Sequence, residues 1–478
     1  MTNPTLSREL RKLLGEESVL WKPEELLVYE YDASVTHATP DVVVFPRSTE
    51  DVVKIARVSH RLGVPLVGRG AGTGLSGGAL AAQGGILVVF TRMNRILEID
   101  LENLRAVVQP GVVNLDLTKA VEAQGYYFAP DPSSQKACTL GGNVAENAGG
   151  PHTLAYGVTT NHVLGLEIVL PDGTLLNLGG KTLDIPGYDL TGVLVGSEGT
   201  LAIVTKIIVR LCRLPEAVKT LLAVFDTVDD ATETVAEITA RGITPAACEM
   251  LDGVTLKAVE AATQAGYPLD SAAVLLMEVE GLREAVEGQA RQVEAVCRAH
   301  AAREVRLARS EAEREKLWQG RKNAFGALGR LSPGYYAQDG VIPRTKLPQM
   351  LRTVAAIGAR YGMEVGNVFH AGDGNLHPVI LFDPRNRAQF DAAASIATEI
   401  MRTCIELGGS ITGEHGVGIE KNEMMPLLFS EDDLEAMAAV KRVFNPTGRL
   451  NPAKVFPSSK TCGEIRVRPL PVTSAAVS

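Results

Sequence analysis

The sequence predicts an α+β protein built from more than one domain. Three observations carry that expectation. The chain has 478 residues, more than a single hydrophobic core ordinarily serves. Its first 215 residues are short β-branched runs punctuated by glycine. Beyond them, alanine-rich segments with helical spacing alternate with short strands.

In chain order, DVVVF (41–45), PLVG (65–68) and ILVVF (86–90) read as strands. A helix over roughly 50–62 separates the first two, with Ser48 or Thr49 as cap and Val52, Val53, Ala56 and Leu62 on its apolar side. GLEIVLPDGTLLNL (165–178) predicts a hairpin closed by Pro-Asp-Gly. LAIVTKIIVRL (201–211) predicts a long strand. Helices follow at 227–241, 282–302 and 385–407, with AVLLMEVEG (273–281) as a strand among them. A further helix from 431 precedes the closing segment FNPTGRLNPAKVF.

Forty-seven basic residues against 56 acidic ones leave a net charge of −9, which argues against a nucleic-acid partner. No apolar run reaches the roughly 18 residues of a spanning helix. The N-terminal stretch lacks a secretory or transit pattern, so a cytoplasmic location is expected, with any membrane association peripheral, at the inner face. Six cysteines, at 138, 212, 248, 297, 404 and 462, form no C-x-x-C pair. They suit reduced thiols and supply no iron–sulfur cluster.

Three glycine-rich loops concentrate in the first half. GRGAGTGLSGGAL (68–80) follows a strand, and its bare backbone can form a nest for an anion such as a pyrophosphate. It contains G-x-G-x-x-G at Gly72, Gly74 and Gly77, but ALAAQGGILVVF is too short for the crossover helix of a Rossmann unit. A second loop (131–157) brackets Asn143, Glu146 and Asn147 between glycines, and a third (192–205) carries Gly196, Glu198 and Gly199. Three such loops favour a large phosphate-bearing cofactor held by backbone.

The second concentration of chemistry is NVFHAGDGNLHPVI (367–380), with His370 and His377 flanking a Gly-Asp-Gly loop. Only eight histidines occur in the chain, and His415 follows Glu414 in GGSITGEHGVGIEK (408–421). A strand–loop–strand would bring His370 and His377 to opposing hairpin positions. Three imidazoles and a carboxylate suit zinc, iron or manganese. Asp373 reads as a turn residue.

RGAGTGLSGGA, PDPSS, GGNVAENAGG and GSEGTLAIVT resemble the FAD-binding segments of the vanillyl-alcohol-oxidase/PCMH flavoprotein superfamily. GRKNAF (320–325), NVFHAGDGNLHP (367–378), GGSITGEHGVG (408–418) and LNPAK (450–454) resemble its FAD-linked oxidase C-terminal region. The wording is nearest the members that oxidise glycolate, with D-lactate and D-2-hydroxyglutarate dehydrogenases as relatives. The resemblance implies a PCMH-type FAD-binding domain of two subdomains over 1–215, an α+β substrate (cap) domain over 216–410, and a segment, 411–478, returning to the FAD domain.

It also assigns roles. FAD would lie against Arg69, Gly70, Ala71, Gly72, Thr73, Gly74, Gly77 and Gly78. The second loop would add Pro132, Ser133, Gly141, Gly142, Asn147, Gly149, Gly150, Tyr156 and Gly157. Glu198, Gly199, Ile203 and Asn451 complete the set. Thr73 stands where some relatives carry a flavin-linking histidine, so FAD is expected to be non-covalent. His370, His377 and Glu414 would hold a divalent metal (Zn, Mn or Fe), His415 would be the general base, and Arg321 would bind the substrate carboxylate.

The expected reaction is oxidation of a small 2-hydroxy acid, glycolate to glyoxylate, by hydride transfer to flavin N5. A D-lactate dehydrogenase is the alternative within the family. A metal-dependent hydrolase and a non-catalytic FAD-binding companion are the alternatives outside that activity. Electrons would leave through companion FAD-binding and iron–sulfur subunits or a quinone. Pro378, Val379 and Ile380 after His377 are expected to line the site and favour a small substrate.

Overall fold

The computed structural model describes residues 4–182 and 186–457; Cys462 and the end of the expected 411–478 segment lie outside them. The β-branched runs assemble as expected. Val19–Leu20, Val42–Val44, Ile86–Val89 and Leu66–Arg69 lie side by side in that order, the last three mutually parallel. Parallel neighbours need a crossover, and the helix Thr49–Leu62 supplies it. Ser48 caps that helix by accepting the Asp51 N–H, and Gly63 ends it in the left-handed region. Val52, Ile55, Ala56 and Val58 pack against the sheet.

A second, fully antiparallel sheet runs Ile96–Asp100, Arg105–Val108, Ile203–Arg210, Val163–Val169, Leu175–Gly179. Its last two strands are the Pro-Asp-Gly hairpin, in which Gly173 N–H donates to Leu170 O at 2.9 Å.

The third sheet, also antiparallel, dominates the second half of the chain. Ala217–Phe225, Ala273–Gly281, Ala247–Asp252 and Val365–His370 are its central strands. The helices Val228–Ala240, Arg283–Ala299 and Arg387–Glu406 match the expected helical segments closely, and Leu347–Tyr361 joins them on one face. Gly253–Thr263, Glu311–Lys322 and Ala324–Leu328 cover the other. Because side chains alternate along a strand, Leu221, Ala223 and Phe225 enter one core while Leu222 and Val224 enter the opposite one. Burial on both faces explains the unbroken apolar run.

The same geometry corrects one expectation. Val379 and Ile380, in the strand Pro378–Phe382, are fully buried in these two opposite cores. They stabilise the cap and take no part in lining a substrate site.

After the helix Glu431–Phe444 the chain returns to the first sheet. Leu66 N–H donates to Arg449 O, Asn451 N–H donates to Leu66 O, and buried Lys454 gives its ammonium to Leu80 O at 2.8 Å. Asn445 organises the turn: its Nδ2 donates to Thr200 O at 2.9 Å and Leu450 O at 3.2 Å, and its Oδ1 accepts the Arg449 N–H. Asn445→Ala strands these buried groups, so we expect a loss of about 1–3 kcal/mol, read as a lower midpoint in chemical denaturation.

Candidate active site

The three glycine-rich loops meet around one cavity of about 600 Å³. Arg69, Gly70, Ala71, Gly72, Thr73, Gly74 and Gly78 line it from the first loop, and Pro132, Ser133, Gly141 and Gly142 from the second. Glu198, Gly199 and Ile203 line it from the third. Gly72, at φ +71°, takes a backbone conformation that L side chains avoid. With small side chains along this wall, the backbone itself faces the cavity.

The remaining residues of the expected set support this wall. Gly77 packs on Ile419. Asn147 ends the helix Leu140–Glu146 and accepts the Thr160 N–H at 2.8 Å. Gly150 lies against Asp131, Gly157 against Asn161, and the Tyr156 hydroxyl donates to Glu280 of the cap. Asn451 Nδ2 ties Gly78 O and Glu198 O together at 2.9 and 2.6 Å. Gly149 has a sharper reason: a Cβ there would sit 2.8 Å from Glu414 Oε2.

Buried atoms without hydrogen-bond partners mark where a ligand belongs. Arg69 Nη1 and Glu146 Oε2 are such atoms, and both residues line the cavity. Small walls and unsatisfied polar groups around a volume of this size fit a bound dinucleotide.

From the cap side, Lys322, Phe325, Tyr335, Glu414 and His415 line the same cavity. Directly behind, Glu414 Oε1 lies 3.0 Å from His370 Nε2 and 3.1 Å from His377 Nε2. The hairpin register pairs His370 with Asn375 and Asn367 with Pro378. The two histidines are therefore diagonal neighbours on one face rather than directly opposed, with ring centroids 5.1 Å apart. His415 stacks parallel to His377 at 4.8 Å.

Their outer nitrogens are held too. His370 Nδ1 meets Glu249 at 2.8 Å and His377 Nδ1 meets Gln338 O at 3.3 Å. Imidazoles anchored through one nitrogen, with the other aimed at a shared carboxylate, have the donor chemistry of a divalent-metal site. His370, His377 and Glu414 offer three donor atoms within 4.8 Å of one another.

Charge follows from these contacts. Burial opposes ionisation of His370, but Glu249 and Glu414 outweigh it and raise its pKa well above the ordinary imidazole value. Burial likewise opposes charge on Glu414, and the two histidines hold it well below the usual carboxylate range. His415 differs: burial dominates, its pKa falls to about 4, and it is neutral at physiological pH.

Arg321 is fully buried behind the wall, its Nη2 at 2.5 Å from Glu249, while Nε and Nη1 have no hydrogen-bond partner. Asp373 accepts the Asn375 N–H at 3.0 Å, as a turn residue does. The five described cysteines are free thiols.

Sequence reasoning missed Glu249 and Asp339. Glu249 sits in the middle of the strand Ala247–Asp252 with apolar residues on either side, and a carboxylate inside a doubly buried strand was the available signal. Asp339 precedes Gly340, so it resembles a turn. It is instead buried, accepting the Gly413 and His415 N–H groups, the Thr412 hydroxyl, the Asn375 amide and the Lys421 ammonium.

Fold and cavity thus define a flavoprotein of the two-domain FAD-binding class. Residues 40–179 match the model of an FAD binding domain, and residues 214–455 that of FAD linked oxidases, C-terminal domain. The chain belongs to the FAD-linked oxidase family and is an FAD-dependent oxidoreductase. It is 46% identical to glycolate oxidase subunit GlcD of Escherichia coli K12, covering 95% of this chain and 91% of that one. It is 32% identical to the probable mitochondrial D-lactate dehydrogenase of Danio rerio, over 94% and 91% of the two chains. Substrate-bound p-cresol methylhydroxylase shares the fold, with a TM-score of 0.80 at 17% identity over 96% and 98% of the chains.

Asp339 anchors the loop that carries Glu414 and His415, and it neutralises buried Lys421. Asp339→Asn leaves that ammonium unpaired, so we expect a loss of about 3–5 kcal/mol, measured by denaturant titration of the FAD-loaded protein.

Proposed function

We propose that this protein oxidises a small 2-hydroxy acid, with glycolate as the leading substrate and D-lactate as the alternative. The observation that carries the proposal is the His370/His377/Glu414 triad with neutral His415 beside it, on the wall of the flavin cavity. Two relatives, named as a glycolate oxidase subunit and a D-lactate dehydrogenase, support the substrate class.

Arg321 holds the substrate carboxylate, since its partnerless buried Nε and Nη1 are the donors such an anion would satisfy. His415 accepts the hydroxyl proton. It can do so because burial keeps it unprotonated, and Asp339 fixes it through its backbone N–H at 3.0 Å. The C2 hydrogen then departs with its electron pair. FAD, which the glycine-rich loops would hold non-covalently, would supply the hydride acceptor, its N5. His370, His377 and Glu414 would hold a zinc, manganese or iron ion, which would supply Lewis acidity toward the substrate hydroxyl.

Electrons then pass to companion FAD-binding and iron–sulfur subunits or to a quinone, because no cluster motif occurs here. Among the described residues no helix is long and apolar enough to cross a membrane. We place the protein in the cytoplasm, with peripheral contact at the inner face of the membrane through its partners.

The test is the flavin spectrum under anaerobic conditions with glycolate, D-lactate and L-lactate in turn. Bleaching by glycolate or D-lactate, abolished by a chelator and restored by a divalent ion, is expected; no bleaching by any hydroxy acid would overturn the proposal. His415→Ala should lower kcat by about 10²–10⁴-fold with flavin content unchanged, measured by stopped-flow reduction.

A further inference from the structure

Among the described residues that line the cavity, the cationic side chains are Arg69 and Lys322. Arg69 belongs to the glycine-loop wall, where its Nη2 donates to Tyr31 O at 2.8 Å. Lys322 enters from the cap at the end of the helix Glu311–Lys322, on the part of the wall that also carries Phe325, Tyr335, Glu414 and His415. We infer that Lys322 is the cation that offsets the negative charge left in the cavity by two-electron reduction of the flavin, and so sets its reduction potential.

The chemistry of the reaction gives such a group a role. A hydride carries one net negative charge from a substrate anion that remains an anion after oxidation, and the hydroxyl proton goes to His415. Net charge in the cavity is unchanged while His415 holds that proton, and one negative charge remains on the cofactor once the proton has passed to solvent, where Lys322 on the same wall can offset it. This inference rests on the reading that the reaction occurs beside His415.

Lys322 is held for the purpose. Its ammonium lies 3.3 Å from Asp131 Oδ2, in the PDPSS loop on the flavin side. Asp131 does not cancel that charge alone, because it is shared with His152 at 3.0 Å. His152 bridges onward to Glu278 of the cap at 3.5 Å and stacks on Trp318. Burial opposes charge on His152, yet the two carboxylates push its pKa up to about 10, so it is an imidazolium. Glu278 is itself occupied by Arg314 at 2.8 Å and by the Trp318 N–H at 2.7 Å. Asp131 thus faces two cations, and Lys322 retains net positive influence on the cavity.

The experiment uses the FAD-loaded protein and its variants Lys322→Met, Lys322→Arg and Asp131→Asn. Flavin midpoint potential is measured by equilibration with a reference dye, and sulfite affinity by bleaching of the flavin band. Neither readout needs the natural substrate. Lys322→Met should weaken sulfite binding about tenfold and shift the potential negative by the corresponding ~30 mV. Lys322→Arg should stay near the parent, and Asp131→Asn should move both readouts in the opposite direction. Unchanged potential and sulfite affinity in Lys322→Met, with normal flavin content, would overturn the inference; so would a raised KM as its sole effect, which would assign Lys322 to the substrate. Failure of the parent protein to be bleached by any hydroxy acid would instead strike the proposed function.

Discussion

Glu414 Oε1 sits between two imidazole nitrogens at about 3 Å, half-buried on the wall of the cavity. A carboxylate is tolerated there only when partners satisfy it, and those partners must in turn be satisfied. Glu249 holds His370 from behind and is itself matched by Arg321. The Gln338 carbonyl holds His377, and Asp339 gathers the backbone of the Glu414 loop together with Lys421. These linked requirements fix the rotamers of every group proposed to act. His415, its backbone anchored by Asp339, stacks on His377.

The cap sheet makes this arrangement possible. Its central strands are apolar on both faces, and the carboxylates Glu249 and Glu278 are set into them where charged partners lie opposite. The FAD-side loops close the structure from the other direction. Glu198 accepts the Val417 and Gly418 N–H groups at 2.7 Å each, and Gly149 lets its loop press against Glu414. Loops far apart in the chain are thereby held at one cavity. The Asp131–His152–Glu278 bridge performs the same office beside Lys322. The cavity wall and the histidine–carboxylate cluster are consequently parts of one hydrogen-bonded shell rather than two adjoining sites.

Much of this was legible in the residues. Glycine loops spaced along the first half, the helix start at Ser48, the Pro-Asp-Gly hairpin and the strand Ala273–Gly281 all follow from local rules of backbone freedom, capping and periodicity. The gathering of His370, His377, Glu414 and His415 was visible because donor-capable side chains rarely cluster by chance in glycine-flanked loops. Longer-range placement was less so. Val379 and Ile380 follow His377 and so suggest a substrate wall, whereas strand alternation sends them into opposite cores.

The sequence by itself determined the family, the α+β architecture, the glycine-rich loops of the cavity and the histidine–carboxylate cluster as a candidate site, since each is written in contiguous motifs. Only the tertiary structure decided which residues hold those groups in place. Glu249, Asp339 and Asp131 take their roles from partners between 21 and 191 positions away. Local composition cannot encode which buried charge will find which partner, because that pairing is set by sheet register and by the approach of one domain's loops to the other.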